Sequence, residues 1–128
     1  MIHEMLTLLT LLHSRGERGI KREVLPWLVF ILKIEGGFDI RYNFDLRPEV
    51  GSRNLDKHLK KLLDAEYISI VGADILVISV DGETHLRESL PDIEDYTRAL
   101  LEILASYIDM DLLELAKSYP FKEKMGDQ

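Results

Sequence analysis

The chain has 128 residues, 46% hydrophobic and 30% charged, with no cysteine and a net charge of −7. That length holds one domain with a single real core. The lack of cysteine excludes a disulfide framework, a thiolate nucleophile and any cysteine-ligated zinc or iron–sulfur centre, so an intracellular, cytoplasmic protein is expected. An acidic balance also excludes general attraction to nucleic acid: a DNA contact must come from a local patch working against the long-range field.

The acidity is mostly C-terminal. Residues 1–51 hold 7 Lys/Arg and 7 Asp/Glu, residues 52–91 hold 5 against 7, and residues 92–128 hold 4 against 9. Glu4 stands where a secretory leader would be basic, and no small-residue cleavage pattern follows it. The longest apolar run, from Val24 to Leu32, is far shorter than the roughly 20 residues that span a bilayer, so no membrane segment is expected.

In chain order, residues 2–13 predict a first helix. Its polar positions His3, Thr7, Thr10 and Ser14 form so narrow a stripe that the helix must be buried on more than one side. SRGERG is loop chemistry. Residues 20–35 predict a second helix that stops at Gly36-Gly37, with Trp27, Phe30, Ile31 and Ile34 as core. Pro26 inside it requires either a kink or a helix that starts near Val24. In FDIRYNF, Phe38, Ile40, Tyr42 and Phe44 alternate with Asp39, Arg41 and Asn43, the period of a half-buried strand or extended segment.

After the loop DLRPEVG comes the central helix. Gly51 allows a sharp turn and Ser52 is placed to cap it. Leu55, Leu59, Leu62 and Leu63 make one apolar stripe, while Arg53, Lys57, Lys60 and Lys61 form a compact basic face with only Asp64 among them. Residues 68–71 and 75–80 are β-branched runs joined by Gly72-Ala73-Asp74, a tight hairpin. Asp81-Gly82 is expected to end the hairpin, with GETHLRESL as a short helical turn. A further helix opens at Pro91-Asp92 and keeps Ile93, Tyr96, Leu100, Ile103, Leu104 and Tyr107 at helical spacing. A last helix over residues 109–119 is closed by Pro120, and FKEKMGDQ is expected to be a polar, frayed tail.

Helix, helix, extended segment, helix and two-stranded hairpin is the element order of a winged helix-turn-helix, an α+β fold that is mostly α. The central helix takes the recognition position. The expected organisation is a single domain over residues 1–128, with a winged-helix core in 1–91, a helical extension in 92–120 and a polar tail in 121–128. The narrow polar stripe of the first helix and the leucine-rich C-terminal helices offer more apolar surface than a small domain easily covers, which predicts a homodimer built on the extension.

Residues 21–70 also carry a sequence pattern: an apolar helix VLPWLVFILK, an aromatic extended segment YNF, a Pro/Gly turn RPEVGS and a leucine-striped helix ending AEYI. With the C-terminal DLLELAKSYPF, this resembles the Panacea-type antitoxin family and its phage-associated relatives. At the turn, relatives usually show Gly-Pro-Tyr-Ser where this chain has Glu49-Val50-Gly51-Ser52. The resemblance implies a non-enzymatic regulatory or neutralising protein that binds another macromolecule, such as a toxin.

Reactive chemistry is thin. His3, His13, His58 and His85 include no pair at metal-ligand spacing, Asp92, Glu94 and Asp95 sit where a helix start favours acids, and no nucleophile elbow or phosphate loop is present. No catalytic residue, metal or cofactor is expected. The binding candidates are Ser52, Arg53, Asn54, Lys57, His58, Lys60 and Lys61, with Arg53 and Asn54 the best base readers. Asp74 at the hairpin tip, where a DNA-binding wing usually carries Lys or Arg, weakens the wing. Two functions stay open: a DNA-binding transcriptional regulator that contacts double-stranded DNA, and an antitoxin-like or adaptor module that contacts a protein.

Overall fold

The computed structural model describes residues 2–45 and 50–125. The elements run α1 (His3–Arg15), a 3-10 turn (Gly16–Arg18), β1 (Ile20–Lys21), α2 (Leu25–Gly36), α3 (Arg53–Asp64), β2 (Ile68–Val71), β3 (Ile75–Ile78), α4 (Val80–Ser89), α5 (Ile93–Leu104), α6 (Leu112–Ser118) and α7 (Phe121–Met125). The three strands form an antiparallel sheet in the order β1-β3-β2. Ile68 pairs with Ile78, Val71 with Ile75, and Ile20 with Leu76 on the other side of β3. Helix, short strand, helix, helix and hairpin, with the first strand added beside the hairpin, is the element order of a winged helix, and α3 is the helix that runs into the hairpin.

The core forms because α1 and α2 are apolar around most of their circumference. Leu8, Leu9, Leu11 and Leu12 of α1 and Leu28, Val29, Phe30, Ile31 and Leu32 of α2 are fully buried. The α1 hydroxyls Thr7 and Thr10 are buried too, and each bonds back to a carbonyl one turn earlier. Pro26 resolves in favour of the later start. Val24 caps α2 and the proline lies in the first turn, where its missing N–H has no helical partner to lose. Residues 20–23 therefore do not continue the helix backwards. Ile20 and Lys21 form β1 instead, a strand of two residues, too short for alternation to reveal.

FDIRYNF is an extended segment with Ile40, Tyr42 and Phe44 buried and Asp39, Arg41 and Asn43 exposed; its last contact is a bridge between Asp45 and Gly51. Within the expected loop DLRPEVG and the turn at 49–52, residues 46–49, including Pro48 and Glu49, lie outside the described residues. At the far end of α3, Glu66 takes a left-handed φ of 62°, which turns the chain into β2.

Three expectations are corrected. The hairpin ends at Ile78, and Asp81-Gly82 lies inside α4, a ten-residue helix capped by Ser79, whose Oγ accepts from Gly82 N at 3.0 Å. The last long helix starts later, at Leu112, with Asp111 as its cap. The tail is no polar fringe through its first turn: Phe121 is 4% exposed and packs edge-on against Trp27 at 4.6 Å between ring centroids, which draws residues 121–125 into α7.

The apolar surface behind the dimer expectation is largely covered within one chain. Leu100, Leu104 and Leu115 are fully buried, and Leu113 is the one large apolar side chain of α5 to α7 that stands exposed among the described residues. No helix among the described residues is long and apolar enough to cross a membrane.

Candidate nucleic-acid interface

α3 begins where Ser52 stops it from starting earlier. That residue is extended, and its Oγ accepts from Leu55 N at 3.4 Å, satisfying one of the free amides of the first turn. The preceding chain is held by two backbone bonds between Asp45 and Gly51, at 2.8 and 2.9 Å. Leu55, Leu59 and Leu62 then seat the helix on the core with Leu63 at the edge, so the opposite side has to face outward.

On that outward side Arg53, Asn54, Lys57, Lys60 and Lys61 are all exposed. Among the described residues none of the four cations enters an ion pair. Elsewhere Arg15 pairs with Asp109, Arg41 with Asp39, Arg87 with Glu83, Arg98 with Asp95 and Lys124 with Glu35. The outer face of α3 thus carries four cations against the exposed acids Asp56 and Asp64, a net positive patch on an acidic protein, within reach of one another's fields at about a Debye length. The structure brings together five of the seven sequence candidates. Ser52 is 4% exposed and serves as a cap.

His58 differs as well. It is half-buried, and its Nδ1 lies 2.6 Å from the Tyr42 hydroxyl. Burial holds its pKa below the ordinary histidine value, Lys61 adds to that, and Glu4 opposes it. Its charged form is disfavoured near neutral pH, so it adds little to the basic face as a cation there.

Sequence reasoning missed two cations. Lys21 and Arg22 are exposed, without an ion pair among the described residues, and they lie against the hairpin loop: Lys21 is opposite Ile75, and Arg22 N donates to the Asp74 carbonyl at 2.8 Å. They offset the acid at the tip. Only the pairing of β1 with β3 reveals this, because the two segments lie some fifty positions apart in sequence. Asn43 was also missed. With Asp45, Ser52, Arg53 and Asn54 it lines a cleft of ≈ 240 Å³ at the start of α3.

The remaining histidines contact other parts of the same chain, away from α3. His13 Nδ1 lies 2.7 Å from Glu83 Oε1, His3 packs near Tyr96, and His85 stacks on Tyr67 at 4.7 Å. No group of three or more potential ligands is positioned for a metal ion among the described residues. Asp92 precedes α5 without a side-chain cap bond, and Asp95 pairs with Arg98, so these acids act on the helix end through charge alone. No family model, curated protein or solved structure matches the chain.

Proposed function

We propose that this protein is a non-enzymatic, cytoplasmic winged-helix regulator of transcription that binds double-stranded DNA through α3. The observation that carries this reading is the set of four exposed cations, in no ion pair among the described residues, on α3, the helix that runs into the hairpin. Phosphate contacts supply the sequence-independent part of DNA affinity, and unpaired side chains meet phosphates without first breaking a salt bridge. The exposed Lys21 and Arg22 add charge beside the hairpin that serves as the wing. A homodimer would set two such helices on a symmetric site.

Titration of a random duplex at low ionic strength tests the reading where the phosphate term is strongest. Binding that weakens steeply as salt is raised supports it. An absence of binding at low salt leaves the second reading, an antitoxin-like module that grips a protein. That reading, in line with the resemblance to Panacea-type antitoxins, draws on the net charge of −7 and on an apolar groove of ≈ 330 Å³. The groove is bordered by Glu17, Val71, Val77 and Val80, the last of which is 82% exposed.

A further inference from the structure

Tyr42 is 1% exposed, and its hydroxyl has a single described partner, His58 Nδ1 at 2.6 Å. A buried phenol must donate its hydrogen or leave it orphaned. The other arrangement, with Nδ1–H donating to the phenol oxygen, would strand that hydrogen in the core. Tyr42 therefore donates, Nδ1 accepts, and the neutral imidazole carries its own hydrogen on Nε2.

Nε2 is free to use it. The buried side-chain atoms without a partner are Arg15 Nε, Trp27 Nε1 and His85 Nε2, so His58 Nε2, which has no partner among the described residues, reaches the surface. On the helix His58 lies one turn after Asn54 and one turn before Lys61, at the flank of the basic face rather than its middle. A side chain at the flank of a recognition helix meets the wall of the groove, which is the sugar–phosphate backbone.

We propose that Tyr42 is a positioning residue that locks His58 as an Nε2–H donor, and that this uncharged donor contacts a DNA phosphate oxygen at the edge of α3. The contact rests on the DNA reading above; the tautomer does not. The groups facing the imidazole are Glu4 from α1, Tyr42 from the extended segment and Lys61 from α3 itself. Protonation would turn Nδ1 into a donor facing the Tyr42 donor, so the pair resists acquiring charge near neutrality, in agreement with the lowered pKa.

A neutral donor releases no counterion, which separates it from the lysines. Nitrogen-15 NMR of the free protein at pH 7 should show His58 as the Nε2–H tautomer, becoming a mixture in Tyr42→Phe. Duplex affinity should fall several-fold in His58→Ala and in Tyr42→Phe with the salt dependence unchanged, whereas Lys57→Ala lowers the slope by about one counterion. Any His58-dependent change in wild-type affinity on acidification should centre below the ordinary histidine value of about 6.5. An Nδ1–H tautomer in the free protein overturns the lock. Duplex binding that His58→Ala leaves untouched, or whose salt slope it reduces, overturns the phosphate contact alone. Wild-type protein that binds no duplex at low salt overturns the DNA reading and the contact together.

Discussion

The Tyr119 hydroxyl donates a 2.5 Å hydrogen bond to Glu35 Oε1, tying the segment between α6 and α7 to the last turn of α2. Lys124 Nζ approaches the same oxygen at 3.5 Å, so one carboxylate gathers both sides of α7. The Tyr119 bond holds the Glu35 pKa below the usual carboxylate range, with Lys124 assisting and desolvation opposing.

The sign follows. A carboxyl whose folded pKa is depressed stabilises the fold above its unfolded pKa of about 4.3 and loses that contribution as pH falls through the lower folded value. Thermal melts from neutral pH downwards should show this acid-side loss, and Glu35→Gln should remove it. Glu35 is substantially exposed, so the effect should stay below about 1 kcal/mol; an identical acid profile in the variant would show that the bond does not couple to folding.

Phe121 supplies the larger part of the same anchor. It packs on Trp27, Phe30 and Tyr119. Phe121→Ala should cost about 3 to 5 kcal/mol as a large-to-small core change. Urea unfolding followed by Trp27 fluorescence measures it directly, since the probe sits 4.6 Å from the deleted ring. A loss below about 1 kcal/mol would return residues 121–125 to the frayed tail that their composition describes.

That tail marks the limit of what was legible in the sequence. The leucine stripe of α3 could be read because helical spacing and burial coincide there, whereas α1 and α2 could be read from their length and near-continuous apolar character. FKEKM conceals one buried ring among four residues of polar or flexible character, and a single apolar residue has no period. The α4 start was hidden for a related reason. Asp81-Gly82 is a strong turn signal, and only the Ser79 cap together with the acids Asp81 and Glu83 in the first turn pointed to a helix. At the site, the charges were visible but their partners were not. That Tyr42 meets His58 depends on where an extended segment crosses a helix sixteen residues on, which no local pattern encodes.

Gly19 is a second point that tertiary packing alone explains. Its φ is +61°, and a Cβ there would stand 2.3 Å from the Leu76 carbonyl oxygen and 2.8 Å from side-chain carbons of Ile75 and Val77. Gly19→Ala should push β1 off β3 and cost more than the about 1 kcal/mol set by backbone conformation alone. Gly16→Ala is the control, with a φ of +55° and open space around the new Cβ. Equal melting temperatures for the two variants would mean that β1 does not pack as closely as these contacts require.

Leu62 tests the seat of α3. It is fully buried on the core face of α3. Leu62→Ala should cost about 2 to 5 kcal/mol. Because the basic face lies on the opposite side, any loss of DNA affinity in this variant should track the unfolded fraction and vanish where the protein is held folded. Reduced affinity in fully folded protein would show that the leucine also sets the angle at which α3 is presented.

The cations of α3 divide into two kinds, and charge removal separates them. Lys57, Lys60 and Lys61 are long, flexible point charges suited to phosphates. Each Lys→Ala should lower the slope of log affinity against log salt by about 0.9 and weaken all duplex sequences alike. Arg53 stands at the N-terminal end of α3, the end that enters the major groove in helix-turn-helix docking, and its guanidinium fits the two acceptors of a guanine edge. Its neighbour Asn54 fits an adenine edge in the same way. Arg53→Ala should therefore cost about 1 to 3 kcal/mol on the preferred sequence and little on the others. Anisotropy titrations of each variant against a panel of duplexes at two salt concentrations read both quantities. If Arg53→Ala lowers every sequence equally while keeping their ranking, the residue is a fourth phosphate contact, and sequence preference must come from Asn54 or from the shape of the DNA.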